Sequence, residues 1–178
     1  MKIITTHIGA DFDSLASMVA ALKLYPGARA CFSGSAGRNV REFLKRTPGR
    51  WEILTPSQVD MDKISMLIVV DARSPARIAS FAGILGRPGL EVHVYDHHAA
   101  VQDDIVASYS LIEPVGATTT LLVEKILDTS IPVTPQEATL FAMGIYEDTG
   151  ALTFGATSEK DFRVILKQIG RASCRERV

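Results

Sequence analysis

The 178 residues predict one α/β domain: a mostly parallel central sheet with helices on both faces. Three observations lead there. Strand-like and helix-like segments alternate along most of the chain, as a parallel sheet with crossover helices requires. The runs Met66-Leu67-Ile68-Val69-Val70 and Val92-His93-Val94-Tyr95 are short and largely apolar, as strands covered on both faces are. Asp and His gather where such strands end, at His7/Asp11/Asp13, Asp71 and Asp96/His97/His98, with Asp148 following later. The carboxyl edge of an α/β sheet is where ligands bind.

The elements follow in order. Residues 3–6 read as the first strand, and a polar loop with Gly9 leads into a helix over 14–24, stopped by Pro26-Gly27. A strand over 28–32 and a short helix over 39–45 come next, the latter ended by Thr47-Pro48-Gly49. Residues 51–54 are strand-like, 66–70 form a buried strand, and 76–85 a helical stretch closed by Gly86-Arg87-Pro88-Gly89. Strands over 91–95 and 109–112 complete the sheet. The second half turns helical, with apolar residues at helical spacing over 117–127 and 135–146. Pro135 fits a first helical position with Thr134 as its cap. A last helix over 158–169 opens on Ser158-Glu159-Lys160-Asp161, a capping-box pattern.

The composition, 47% hydrophobic and 22% charged, is that of a globular domain of ordinary size. A net charge of −1 provides no overall basic footprint for holding nucleic acid non-specifically. The two cysteines, Cys31 and Cys174, do not suggest a disulfide framework, so a cytoplasmic setting is expected. No apolar run reaches membrane-spanning length, and the first residues read as a strand rather than a signal peptide. Residues 170–178 break the pattern, with three Arg in seven residues and no apolar period. They read as a read-through or cloning scar after a truncated gene rather than as a basic tail meeting an anionic partner.

His7, Asp11 and Asp13 place three donors in seven residues, in the spacing H-x3-D-x-D. Imidazole with carboxylates suits manganese, iron, cobalt or zinc better than calcium. Either Asp alone would read as a helix cap; with His7, metal binding is the better reading. Ser14 is the expected cap of the following helix. Asp71, at the end of a buried strand, needs a partner, either a metal or Arg73 or Arg77. In Asp96-His97-His98, one imidazole suits a metal and the other a phosphate or a proton, with Asp96 orienting a ring. Asp148 lies at a helix C-terminus, where a negative charge calls for a cation. Thr149-Gly150 reads as the turn that aims it, and Glu147 as its solvated neighbour. Gly116 and Thr118 open a helix and read equally as a phosphate site or as an ordinary helix start. Arg38, in a glycine-containing loop, is a weaker anion candidate.

Taken in order, H-x3-D-x-D, a strand-end Asp, D-H-H and a late D-T-G resemble the signature of the DHH phosphoesterase superfamily, from residue 2 to about residue 162. The resemblance implies a DHH-type N-terminal domain over 1–169 that carries two divalent metal ions, manganese expected. A smaller C-terminal substrate-binding domain is expected to be missing. By motif, His7 and Asp11 would hold one metal and Asp13, His97 and Asp148 the other, with Asp71 bridging. His98 would contact the phosphoryl group and Asp96 would support the histidines; these two are the expected catalytic side chains. Thr5-Thr6-His7, Tyr95-Asp96-His97-His98 and residues 144–150 most resemble the DHH module fused to CBS domains and a tRNA nucleotidyltransferase/poly(A) polymerase region in bacteria. Glu113-Pro114-Val115-Gly116 is similar to family II pyrophosphatase. The implied activity is two-metal hydrolysis of phosphodiester or phosphoanhydride bonds in short RNA or nucleotides. The alternatives are a nucleotide- or RNA-binding module of such a fusion, and a pyrophosphatase or exopolyphosphatase. The implied partners are short RNA, nucleotide or pyrophosphate, the remaining domains of the same polypeptide and a second copy of the chain.

Overall fold

The computed structural model describes residues 1–170, so the expectation for the tail, including Cys174, lies outside the described residues except at Gly170. Six strands form one sheet: β1 (Lys2–Thr5), β2 (Ala28–Cys31), β3 (Ile53–Leu54), β4 (Met66–Val70), β5 (Glu91–Asp96) and β6 (Tyr109–Ile112). Every pairing is parallel, in the order β3-β2-β1-β4-β5-β6. The α-helices are α1 (Phe12–Leu24), α2 (Arg38–Arg46), α3 (Ala79–Ala82), α4 (Thr118–Asp128), α5 (Pro135–Asp148) and α6 (Glu159–Ile169). No described helix is long and apolar enough to cross a membrane.

The strand order reverses between β1 and β4. Connections leave those two strands in opposite directions, which opens a crevice at their carboxyl ends. Register then decides what meets there. Thr5 pairs with Val69, and Val70 pairs with Tyr95, so the residues after β1, Asp71 after β4, and Asp96 ending β5 share one edge.

Alternation along the strands divides the core in two. Ile4, Ile68 and Val70 face α1, α4, α5 and α6. Ile3, Leu67, Val69, Val92 and Val94 face a thinner layer with Ile78 and Phe81. Helices thus cover both faces, but unequally. The helix expected over 76–85 is a 3₁₀ turn, Pro75–Ile78, followed by the single turn of α3. Pro75 starts that turn, and burying Ile78 and Phe81 fixes the rest, at about 1.5–3 kcal/mol per side chain. The strand expected over 51–54 shortens because Trp51 stacks on Phe43, with ring centroids 5.8 Å apart.

Helix ends also shift. Asp11, not Ser14, caps α1, its Oδ1 accepting from Ser14 N at 3.0 Å. Ser14 lies inside the helix and is buried. Thr134 caps α5 as expected, and Glu137 returns a bond to Thr134 N at 2.8 Å. Ser158 and Asp161 form the same box on α6. Helix α5 crosses α1 closely at Gly144, where a Cβ would stand 2.8 Å from Ala16 Cβ and 3.0 Å from Phe12 O. That approach brings the end of α5 over the start of α1.

Candidate metal centre

His7 follows β1 and is nearly buried. Its Nδ1–H donates to Ile8 O at 2.8 Å, which turns Nε2 inward. Nε2 lies 2.8 Å from Ser14 Oγ, 3.2 Å from Asp71 Oδ2 and 3.7 Å from Asp11 Oδ2. Asp71 has φ +57°, a left-handed conformation that Asp adopts more readily than most residues. Its N–H donates to Tyr95 O at 2.9 Å, and its Oδ2 accepts from Ser14 Oγ at 2.6 Å. Neither arginine of the following loop pairs with it. Arg73 binds Asp104, with Nε 2.8 Å from Oδ1, and donates to His98 O at 2.9 Å.

Asp13, in the first turn of α1, is wholly buried. It accepts from Thr118 N at 2.8 Å and Thr119 N at 2.9 Å, the first amides of α4. His97 Nδ1–H donates to Val115 O at 3.0 Å. Its Nε2 lies 3.1 Å from Asp148 Oδ2 and 3.7 Å from Asp71 Oδ1. That nitrogen is buried without an aligned hydrogen-bond partner. Asp96 is fully buried and accepts from His97 N at 2.9 Å and from His98 Nδ1 at 2.7 Å. It therefore orients the His98 ring directly, whereas the His97 ring is oriented by Val115. His98 remains 47% exposed.

Donor atoms of His7, Asp11 and Asp71 lie within 4.8 Å of one another, as do those of Asp13, His97 and Asp148. Asp71 presents one oxygen to each histidine. Electrostatics agree with a cation-binding role. Burial, then the Asp71 and Asp148 charges, raise the Asp13 pKa well above the ordinary carboxylate value. Burial opposes ionisation of Asp71, but hydrogen bonds from His7 and Ser14 hold its pKa low. Burial works to lower both imidazole pKa values, and the facing carboxylates overcome it. His7 is raised through Asp71, and His97 is pushed up to about 10 by Asp148 and Asp13. The donor set fits divalent cations: two imidazoles each pinned through Nδ1, one orphaned Nε2, and four carboxylates converging on them.

Several contributors are not apparent in local sequence. Ser14 bridges His7 and Asp71. Glu147, read as solvated, accepts from Phe12 N at 2.7 Å and so closes the exposed start of α1. Its pKa is raised by burial and by the Asp11 and Asp148 charges. Asp161 is fully buried and accepts from Gly116 N at 2.8 Å and Thr120 Oγ1 at 2.5 Å. The amides of Gly116 and Thr118, the expected phosphate site, donate to Asp161 and Asp13. Arg38 is exposed at the start of α2, lining a small hollow with Asp11 and Glu147. After Asp148, Thr149 is buried and Gly150 has φ +55°. A Cβ on Gly150 would strike the Phe154 ring at 2.3 Å, so this turn requires glycine.

Residues 2–145 match the DHH family, N-terminal domain. The chain belongs to the DHH family. This DHH chain is 47% identical over 163 residues to the A-adding tRNA nucleotidyltransferase of Geobacter sulfurreducens, and 33% identical over 160 residues to that of Aquifex aeolicus. The matches cover 91% and 90% of this chain, but only 18% of the length of either relative. Among solved structures, an exopolyphosphatase-related protein from Bacteroides fragilis superposes with TM-score 0.79 at 16% identity, covering 96% of this chain and 52% of that one. A putative family II inorganic pyrophosphatase from Methanococcus jannaschii gives 0.78 at 21%, covering 99% and 58%. At these identities the two structures share the DHH chain's fold.

Proposed function

We propose that this DHH domain, residues 1–169, is a phosphoester hydrolase dependent on two divalent cations, manganese first among them. Its substrates are phosphodiester or phosphoanhydride bonds of short RNA or nucleotides in the cytoplasm. The observation that carries the reading is the convergence of His7/Asp11/Asp71 and Asp13/His97/Asp148 on one crevice, with Asp71 between them. His7 and Asp11 would hold one cation and Asp13, His97 and Asp148 the other, Asp71 serving both. Bound there, the cations supply charge against phosphoryl oxygens and acidify water at neutral pH.

The chain's own residues do the rest. Ile8 and Val115 carbonyls hold the two imidazoles with Nε2 inward. The first amides of α4 fix both oxygens of Asp13 against rotation. Asp96 holds the partly exposed His98 by Nδ1, which leaves Nε2 to meet a phosphoryl oxygen and stabilise its developing charge. Likeness to the A-adding enzymes supports RNA as substrate and supports further domains of the same polypeptide as partners.

Calorimetric manganese titration, with turnover of a generic phosphodiester reporter, tests the reading. Micromolar binding and manganese-dependent turnover are expected, and Asp71→Ala should lower turnover by on the order of 100-fold or more. No binding at micromolar manganese by a folded chain would end it. Inorganic pyrophosphate in the same assay assigns the bond: faster phosphate release there favours phosphoanhydrides.

The 47% identity to a nucleotidyltransferase supports a second reading, a module that binds nucleotide or RNA 3′ ends. In the full-length protein, Asp71→Ala separates the two. Loss of hydrolysis with nucleotide addition intact favours the hydrolase; loss of addition alone favours the binding module.

A further inference from the structure

The loop after β4 carries two arginines four positions apart, and they are used differently. Arg73 is consumed: its guanidinium binds both Asp104 and the His98 carbonyl. It braces the segment that follows His98. Arg77 makes no side-chain hydrogen bond or ion pair among the described residues, and Asp104 already belongs to Arg73.

Its backbone is nonetheless fixed at the site. Arg77 O accepts from Ile8 N at 2.9 Å, Arg77 N donates to Ser74 O at 3.1 Å, and the next residue, Ile78, is fully buried. Arg77 is thereby tied to the segment that carries His7. Arg77 lines a cavity of about 110 Å³ whose walls include Asp71, Asp96 and His98. His98, held by Asp96 through Nδ1, has no partner for Nε2 among the described residues. Two nitrogen-bearing groups without protein partners thus border one small cavity that reaches the metal-binding carboxylate.

We propose that Arg77 is a substrate-binding residue whose guanidinium takes a non-bridging oxygen of the phosphoryl group lying in this cavity beside Asp71 and His98. The inference rests on the phosphoester reading above and adds to it the group that holds the anion on the side of the β4 loop. A guanidinium suits this task because its paired N–H donors match phosphate oxygens.

The test uses inorganic phosphate as the probe, bound to the manganese-saturated chain and followed by calorimetry. Arg77→Gln should weaken phosphate binding by about tenfold, as loss of a charged hydrogen bond does. It should raise the KM of the diester reporter by a similar factor with little change in kcat, and leave manganese affinity and Tm unaltered. Arg77→Lys should recover part of the loss. Arg29→Gln, which breaks an exposed pair with Glu52, should leave phosphate binding unchanged.

Equal phosphate affinity in wild type and Arg77→Gln would overturn the assignment, as would a folded, metal-loaded wild type that binds no phosphate. The parent reading fails differently, through absent manganese binding or absent turnover. Phosphate binding still decides the role of Arg77 when turnover is absent.

Discussion

Asp71 and His97 show what burial does to a charge that waits for a counter-ion. Each lies in a pocket of carboxylates and imidazoles, and in the metal-free protein protons take the place of cations. The His97 pKa in the folded chain, about 10, stands above its unfolded value of roughly 6.5. A raised pKa stabilises the fold fully below the unfolded value, and that stabilisation is lost as pH rises through the folded one. The metal-free chain should therefore lose stability between about pH 6.5 and 10 on this account. The raised Asp13 pKa acts in the same direction, its contribution being lost as pH rises from the unfolded carboxylate value. Manganese must displace the imidazole proton, so its affinity should rise with pH by about tenfold per unit for each proton released. Titrations at three pH values in buffers of different ionisation enthalpy would show both the slope and the protons. Affinity independent of pH would mean that His97 is not a ligand. The donors themselves were legible because they fall in short motifs at strand ends. Glu147 was not, because its partner, Phe12 N, lies 135 residues away and no local pattern records it.

Among elements, α6 carries more than its sequence suggests. Its capping box predicts a helix start, and the structure has one. The same Asp161 also accepts from Gly116 and Thr120, beyond its own Ser158 N and Oγ, each at 2.7 Å. That carboxylate latches α6 to the entry of α4. Val115, the residue just before Gly116 at that entry, has the carbonyl that sets the His97 ring. Gly116 tolerates no side chain there, since a Cβ would stand 2.4 Å from Thr149 Cγ2 and 2.8 Å from Asp161 Oδ2. Asp161→Ala leaves several donors unpaired in the interior and should cost about 3 kcal/mol or more. Denaturant unfolding would measure that loss. Manganese affinity should fall as well, because the Val115 carbonyl loses its support. Unchanged affinity at lowered stability would confine Asp161 to a purely structural part. Helix α3 shows the opposite limit of sequence reading. Apolar spacing over 76–85 suits a helix, yet packing of Ile78 and Phe81 against the sheet is satisfied by shorter turns.

For the whole molecule, strand order explains why the site was readable at all. A parallel sheet whose strand order reverses between β1 and β4 gathers strand ends at one edge, so charged residues following buried strands converge whatever their separation. The unequal layers were not readable, because the strands are apolar on both faces and do not reveal which face carries the larger helices. A site that binds cations only when folded couples metal to global stability. At a hundredfold excess over its dissociation constant, manganese should add about 2.7 kcal/mol. For a chain of this length that is a Tm increase of roughly 5–10 °C, reversed by chelation and visible by calorimetry. A Tm indifferent to manganese would contradict a preformed centre.

The wide spacing of the donors also sets an order in time. A chain emerging from the ribosome has made His7, Asp11 and Asp71 long before Asp148 exists. One half of the centre can assemble on the early strands. The other must wait for α5 to dock across α1 at Gly144, and for Asp161 to secure the entry of α4. Full cation occupancy would then mark the moment when synthesis of this fold is complete, and a ribosome stalled before Asp148 would display a nascent domain with half of its centre.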